Sequence, residues 1–223
     1  FAEVPVVAEQ AVADTAAINS IVRGREEMAE AITYEAEVGL IGKSTLSISP
    51  SGVAWKNRRF PLAEISRVRW GGVSRSVNGI PTGTTYTIAF GDEANEAVVS
   101  LRRNEVYSAF IDKLWKAVAP RLMSEMAQAL KAGGTLRMAD ATITDRFAIL
   151  KKHKWFGSEQ VKCLWADLRV FSESGSLIIR SSSDNAVYAT VSYIDVENTH
   201  ILEQLIRIGF KRGCTRLSDV LDS

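Results

Sequence analysis

The chain has 223 residues, 46% of them hydrophobic and 24% charged, with a formal net charge of +1. That length fits one large domain or two small ones, with enough apolar side chain for a core. A charge this near zero lacks the basic excess of a dedicated nucleic-acid binder. Two cysteines, Cys163 and Cys214, are too few for a disulfide framework, lack metal-ligand spacing and suit a reducing compartment. No apolar run approaches the ~20 residues that span a bilayer. The start at Phe1 rather than Met reads as a fragment or a processed form.

The charge is unevenly spread. Residues 1–37 carry eight acids against Arg23 and Arg25, −6 in all, so 38–223 sum to +7. The spacing of Ile18, Ile21, Val22, Met28 and Ile32 predicts a helix over 8–36, interrupted at Gly24, where glycine costs about 1 kcal/mol relative to alanine. It is read as an acidic arm, either solvated or laid on a basic face of this or a neighbouring chain.

From Lys43 the period changes to two. Leu46, Ile48, Val53 and Trp55 predict strands around a Ser49-Pro50-Ser51-Gly52 turn. Ile65, Val68, Trp70 and Val73 mark another extended segment, followed by turn chemistry at Asn78-Gly79 and Pro81-Thr82-Gly83. Residues 85–90 and 97–101 form two β runs. Val106, Phe110, Leu114, Val118, Leu122, Met126 and Leu130 then recur every four residues, which predicts a long amphipathic helix. Asn104 suits its N-cap, Pro120 predicts a kink or a second start, and Gly133-Gly134 ends it.

The order then recurs. Residues 141–150, 161–165, 177–179 and 187–191 read as strands, and Ile201, Leu202, Leu205, Ile206, Ile208 and Phe210 as a helical stripe. The best local match sets Phe60-Pro61-Leu62-Ala63-Glu64-Ile65 against Cys163-Leu164-Trp165-Ala166-Asp167-Leu168. Both end in alanine, an acid and a branched aliphatic, at the same stage of the order. The reading is an internal duplication. Trp70, Trp115 and Trp165 are assigned to the core.

The string Ile48-Ser49-Pro50-Ser51-Gly52-Val53 followed by Phe60-Pro61-Leu62-Ala63-Glu64-Ile65-Ser66-Arg67-Val68 resembles the opening of bacterial pleckstrin-homology-like (PH-like) domains. Two β runs and a helix resemble the end of that fold. The resemblance covers about 45–133 and 136–213. It implies an α+β chain of two tandem bent β-sheet or barrel modules, each closed by a C-terminal helix. The expected division is an N-terminal helical arm at 1–42, modules at 43–133 and 134–213, and a tail at 214–223. It also implies a non-enzymatic binding or scaffolding role in the cytoplasm, free or at a membrane surface.

Catalytic motifs are weak. Gly39-Leu40-Ile41-Gly42-Lys43-Ser44 looks like the end of a phosphate-binding loop, but Glu37 stands where the first glycine belongs. His153 lies among Lys151, Lys152 and Lys154 and reads as a loop residue, while His200 suits capping or packing near a helix start. No nucleophile–base pair, metal site or cofactor site is expected, and no small-molecule substrate. Basic residues fall in two predicted hairpins: Lys56, Arg58 and Arg59, and Lys151, Lys152 and Lys154. Lipid-binding relatives by resemblance hold anionic headgroups at such a hairpin; solvated loop charge is the plainer reading. Trp155 and Phe156 read either as an interface pair or as core of an edge strand. The expected partners are a protein or a second copy, with Ile18, Ile21 and Met28 as contact residues, or else an anionic membrane; no nucleic acid is expected, for want of an aromatic-interleaved basic stripe.

Overall fold

A computed structural model describes residues 27–39, 43–78, 80–154 and 157–222. The fold is α+β and its strand pairing is antiparallel throughout. The first half holds a four-stranded meander, β1 Tyr34–Val38, β2 Ser44–Ser49, β3 Gly52–Trp55 and β4 Arg58–Phe60. A turn at 61–64 leads to a three-stranded sheet, β5 Arg67–Val77, β6 Ile80–Gly91 and β7 Glu96–Leu101, and then to helix α1 Asn104–Lys131. Alternation sets the faces. Ala97, Val99 and Leu101 of β7 are buried while Val98 points outward. The turn at Gly52 needs glycine: its φ is +142°, and a Cβ there would run into the Phe60 carbonyl.

The second half repeats the order of elements. Strands β8 Leu136–Met138, β9 Ala141–Ile143, β10 Phe147–His153 and β11 Ser158–Leu164 lead through a 3-10 turn, Trp165–Asp167, to β12 Leu168–Glu173, β13 Ser176–Ser181 and β14 Val187–Ser192, then to helix α2 Thr199–Arg212. All seven strands join one curled, half-barrel sheet. Its order is β12-β13-β14-β10-β9-β8, with β11 on the far side of β10. Strand β10 makes the curl. Ala148 and Ile149 pair with β9, whereas Lys151 and Lys152 pair with β14. The two matched hexapeptides occupy the same place, the connector between the fourth and fifth strands of each half. Phe60 and Ile65 are buried in one, Cys163, Trp165 and Leu168 in the other.

Two hydrophobic cores result, and helix α1 serves both. Phe110, Leu114 and Val118 lie in the first core, while Ala127 and Leu130 lie in the second. Ile201 of α2 returns to the first core, and Met126 packs against both. Arg121 fastens the connector of the first half to α1, donating to the Leu62 carbonyl at 3.0 Å and the Ile65 carbonyl at 2.5 Å.

Several expectations need correction. Among the described residues only 27–32 of the predicted arm helix are helical; 34–38 form β1, paired with β2. Tyr34, Ala36 and Val38 pack on the core and Glu35 and Glu37 face out, a period of two hidden in an Ala/Glu-rich stretch. Helix α1 runs unbroken through Pro120. That proline and Lys116, whose carbonyl loses its donor, are both exposed, so the unpaired carbonyl lies on the solvent side of the helix, where its loss costs least. The N-cap residue is Arg103, with no side-chain cap, and Asn104 is already helical. Residues 214–222 are not a loose tail: Leu217 is buried and the Ser218 backbone N–H donates to Asp145.

Replacing Leu130 by alanine should cost roughly 2–5 kcal/mol. Because that side chain lies in the second core on a helix that seals the first, amide exchange should rise in the strands of both halves. Acceleration confined to β8–β14 would show that the cores are independent.

Candidate functional site

Where the halves meet, the second caps an open edge of β5. The Val68 backbone N–H donates to Asn198 Oδ1 at 3.0 Å, the Val68 carbonyl accepts from the Asn198 backbone N–H at 2.8 Å, and Asn198 Nδ2 donates to the Ser66 carbonyl at 2.9 Å. Asn198 takes a left-handed conformation, φ 58°, at the start of α2. His200 stacks between Trp70 and Tyr193, with ring centroids at 4.4 and 4.1 Å. Its Nε2 lies 2.9 Å from the Trp70 carbonyl; a carbonyl only accepts, so this nitrogen carries the proton. Burial holds His200 below its ordinary pKa. Arg67 pairs with Glu197, and Arg69 joins Glu96 to the Ile194 carbonyl.

The seam contains Ser, His, Glu and Tyr, yet it is not a catalytic set. Glu203 accepts from Ser172, Tyr193 and Arg207 at 2.6–2.8 Å. These bonds hold its carboxyl below the usual range in spite of burial. Burial, together with the bond to Glu203, pushes the Tyr193 hydroxyl up to about 12. The His200 donor nitrogen is spent on a carbonyl, and no activated nucleophile results. Among the described residues no group of three His, Cys, Asp or Glu side chains is placed to hold a metal ion.

The expected binding residues are spread out or already partnered. Lys56 lies over the Trp55 ring, Arg58 over Phe60 with a bond to the Glu96 carbonyl, and Arg59 donates to Ser51. In the second hairpin each lysine meets an acid: Lys151 with Asp140 at 3.7 Å, Lys152 with Asp184 at 2.7 Å and Lys154 with Glu159 at 2.5 Å. Trp155, Phe156, Ile18 and Ile21 lie outside the described residues, and Met28 is exposed. His153 is not in a loop; it ends β10 and stacks on Tyr188 at 4.1 Å. Lys43, the lysine of the phosphate-loop look-alike, pairs with Glu37.

A cluster invisible in the sequence lies on the outer face of the second sheet. Strand register sets Arg169, Arg180, Tyr188, Lys151 and Gln160 side by side across five strands. At about 4.8 Å per strand that row spans roughly 19 Å. A second row carries Arg137, Thr142, Ile149 and Lys162. These rows contain five cations and no acid. The Arg180 guanidinium lies over Phe171 and Tyr188, at 5.1 and 5.6 Å, and Lys162 over Phe147 at 3.9 Å. A groove of about 680 Å³ lined by Arg137, Asp140, Thr142, Lys151, Ser158 and Gln160 joins the rows, and its one acid, Asp140, is paired with Lys151. Residues that alternate with these, such as Leu177, Ile179 and Ala189, fill the core behind. Arg137, Lys162, Arg169, Arg180 and Tyr188 were missed because each is an isolated charge or ring in the chain, and only the strand pairings align them.

The buried neutral His200 makes stability depend on pH. An unfolded histidine titrates near about 6.5 and the folded one lower, so the unfolded state binds more protons between those values. The contribution is whole above about 6.5 and is lost as pH falls toward the folded pKa. The melting temperature should drop on mild acidification, and His200→Phe should flatten that segment. An equal drop in both proteins would refute the assignment.

Comparison with protein-family models, curated proteins and solved structures finds no match for this chain.

Proposed function

We propose that this chain is a non-enzymatic binding protein of two PH-like modules in tandem, which docks an acidic macromolecular surface on the outer face of its second sheet. The five-cation face carries the reading. A broad, convex face with one polar groove suits a macromolecule better than a small substrate, whose pockets are concave and mostly apolar. The tandem PH-like architecture is supported by the repeated order of four strands, connector, three strands and helix. A non-catalytic role is supported by the seam, whose polar groups are spent on one another.

A protein partner is the first reading, since carboxylate-rich surfaces complement such a face and charge steers encounter. An anionic membrane is the second. The two basic hairpins favour it less, because the second hairpin's lysines face carboxylates and the first hairpin's arginines are bonded within the chain. Among the described residues no helix is long and apolar enough to cross a membrane.

The test leaves the arginine pair of the first row untouched. On a poly-glutamate resin the wild-type chain should elute at clearly higher salt than the Arg137→Glu/Lys162→Glu double variant, since charge reversal acts on exposed electrostatics that salt screens. Lys56→Glu/Arg59→Glu should elute close to wild type. Identical elution of all three proteins would end the proposal.

A further inference from the structure

Arg169 and Arg180 stand directly opposite each other on β12 and β13. The Ser182 backbone N–H donates to the Asp167 carbonyl, so by alternation 169 and 180 form a hydrogen-bonded pair, with Cα atoms about 5.5 Å apart. Like charges so placed weaken a sheet. Neither arginine has an ion pair or hydrogen bond to a described residue, and the Arg180 Nε is buried without a partner. Of the acids flanking the row, Asp184 holds Lys152 and Asp140 holds Lys151. Phe171 and Tyr188 pack against the Arg180 guanidinium from the two neighbouring strands. Two guanidinium groups, whose terminal nitrogens can form bidentate forks, therefore sit without an acidic partner among the described residues on one patch, and Tyr188 and Lys151 follow in the same row.

We propose that Arg169 and Arg180 form a two-arginine clamp for a phosphate monoester. A carboxylate offers two oxygens and one charge, enough for one fork. A phosphate monoester offers three terminal oxygens and a charge of about −1.5 to −2, which matches two forks and two positive charges. Arginine rather than lysine is needed because the fork, not the charge alone, makes the bidentate contact. This assignment rests on the outer face being the docking surface and names the chemical group that the face selects. Arg169 is exposed, so the ligand reaches the clamp from solvent, whether carried on a soluble molecule or on a lipid headgroup.

Thermal melts of the whole chain in inorganic phosphate, sulfate or chloride at matched ionic strength test the clamp. Phosphate should raise Tm by about 3 °C more than chloride does, a shift expected of a ligand that binds only the folded chain at several times its Kd. Sulfate should give a smaller rise. Arg169→Lys/Arg180→Lys, which keeps the charge, should lose most of the phosphate increment, as should Arg169→Gln alone at its exposed position. Co-sedimentation with vesicles of phosphatidic acid, against phosphatidylserine vesicles of equal surface charge, identifies the source. A preference for phosphatidic acid marks a lipid headgroup, and its absence alongside the phosphate shift marks a soluble monoester. No phosphate increment, or one that survives in the lysine variants, would overturn the clamp. In that case the poly-glutamate result would still stand or fall by itself.

Discussion

Helix α1 is the member on which the rest of this structure depends. At 28 residues and 1.5 Å per residue it is about 42 Å long, long enough to serve two cores in succession. Its stripe seals the first core with Phe110, Leu114 and Val118, and its last turns supply Ala127 and Leu130 to the second. Ile201 of α2 passes the other way. A chain that repeats one order of elements twice is thereby bound into a body whose parts share side chains. The unbroken passage of α1 through Pro120 matters for the same reason, because a break there would separate the two contributions.

The seam adds directional bonds to this shared packing. An open strand edge is a hazard, since unpaired backbone groups invite pairing with another chain. Here the edge of β5 is answered by Asn198 and His200 instead of another strand. Stacking His200 between Trp70 and Tyr193 buries a titratable ring, and the Trp70 carbonyl offsets part of that cost by accepting its proton donor. Most of the polar groups around it satisfy one another, with the buried Ser66 hydroxyl an exception. That is why the seam acts as a joint between the halves.

The outer face of the second sheet is arranged in the opposite way. Inside the seam nearly every donor has an acceptor; on the face, Arg169 and Arg180 have none among the described residues. Cations from five strands are brought into two rows by register, and two aromatic rings pack against one of them. Rigid backing comes from the core on the reverse side, where Leu177, Ile179 and Ala189 fix the strands. Such a surface keeps its donors oriented before any partner arrives, which lowers the ordering cost of binding.

Much of the architecture was legible in the chain itself. Period-two runs marked most strands, the four-residue spacing from Val106 to Leu130 marked α1, and the Ala-acid-aliphatic ending located both connectors. These features are local, so hydrophobic periodicity and turn chemistry suffice to reveal them. Strand β1 escaped because glutamate and alanine fit a helix as readily as the exposed side of a strand; only pairing with β2 resolved it. The sharing of α1 between cores, the answering of the β5 edge by Asn198 and His200, and the alignment of Arg137, Lys162, Arg169 and Arg180 were settled by tertiary structure alone. The reason is physical. Each depends on which residues of distant strands stand opposite one another, and register is decided by how the whole set of apolar faces closes on its core, not by any short stretch of sequence.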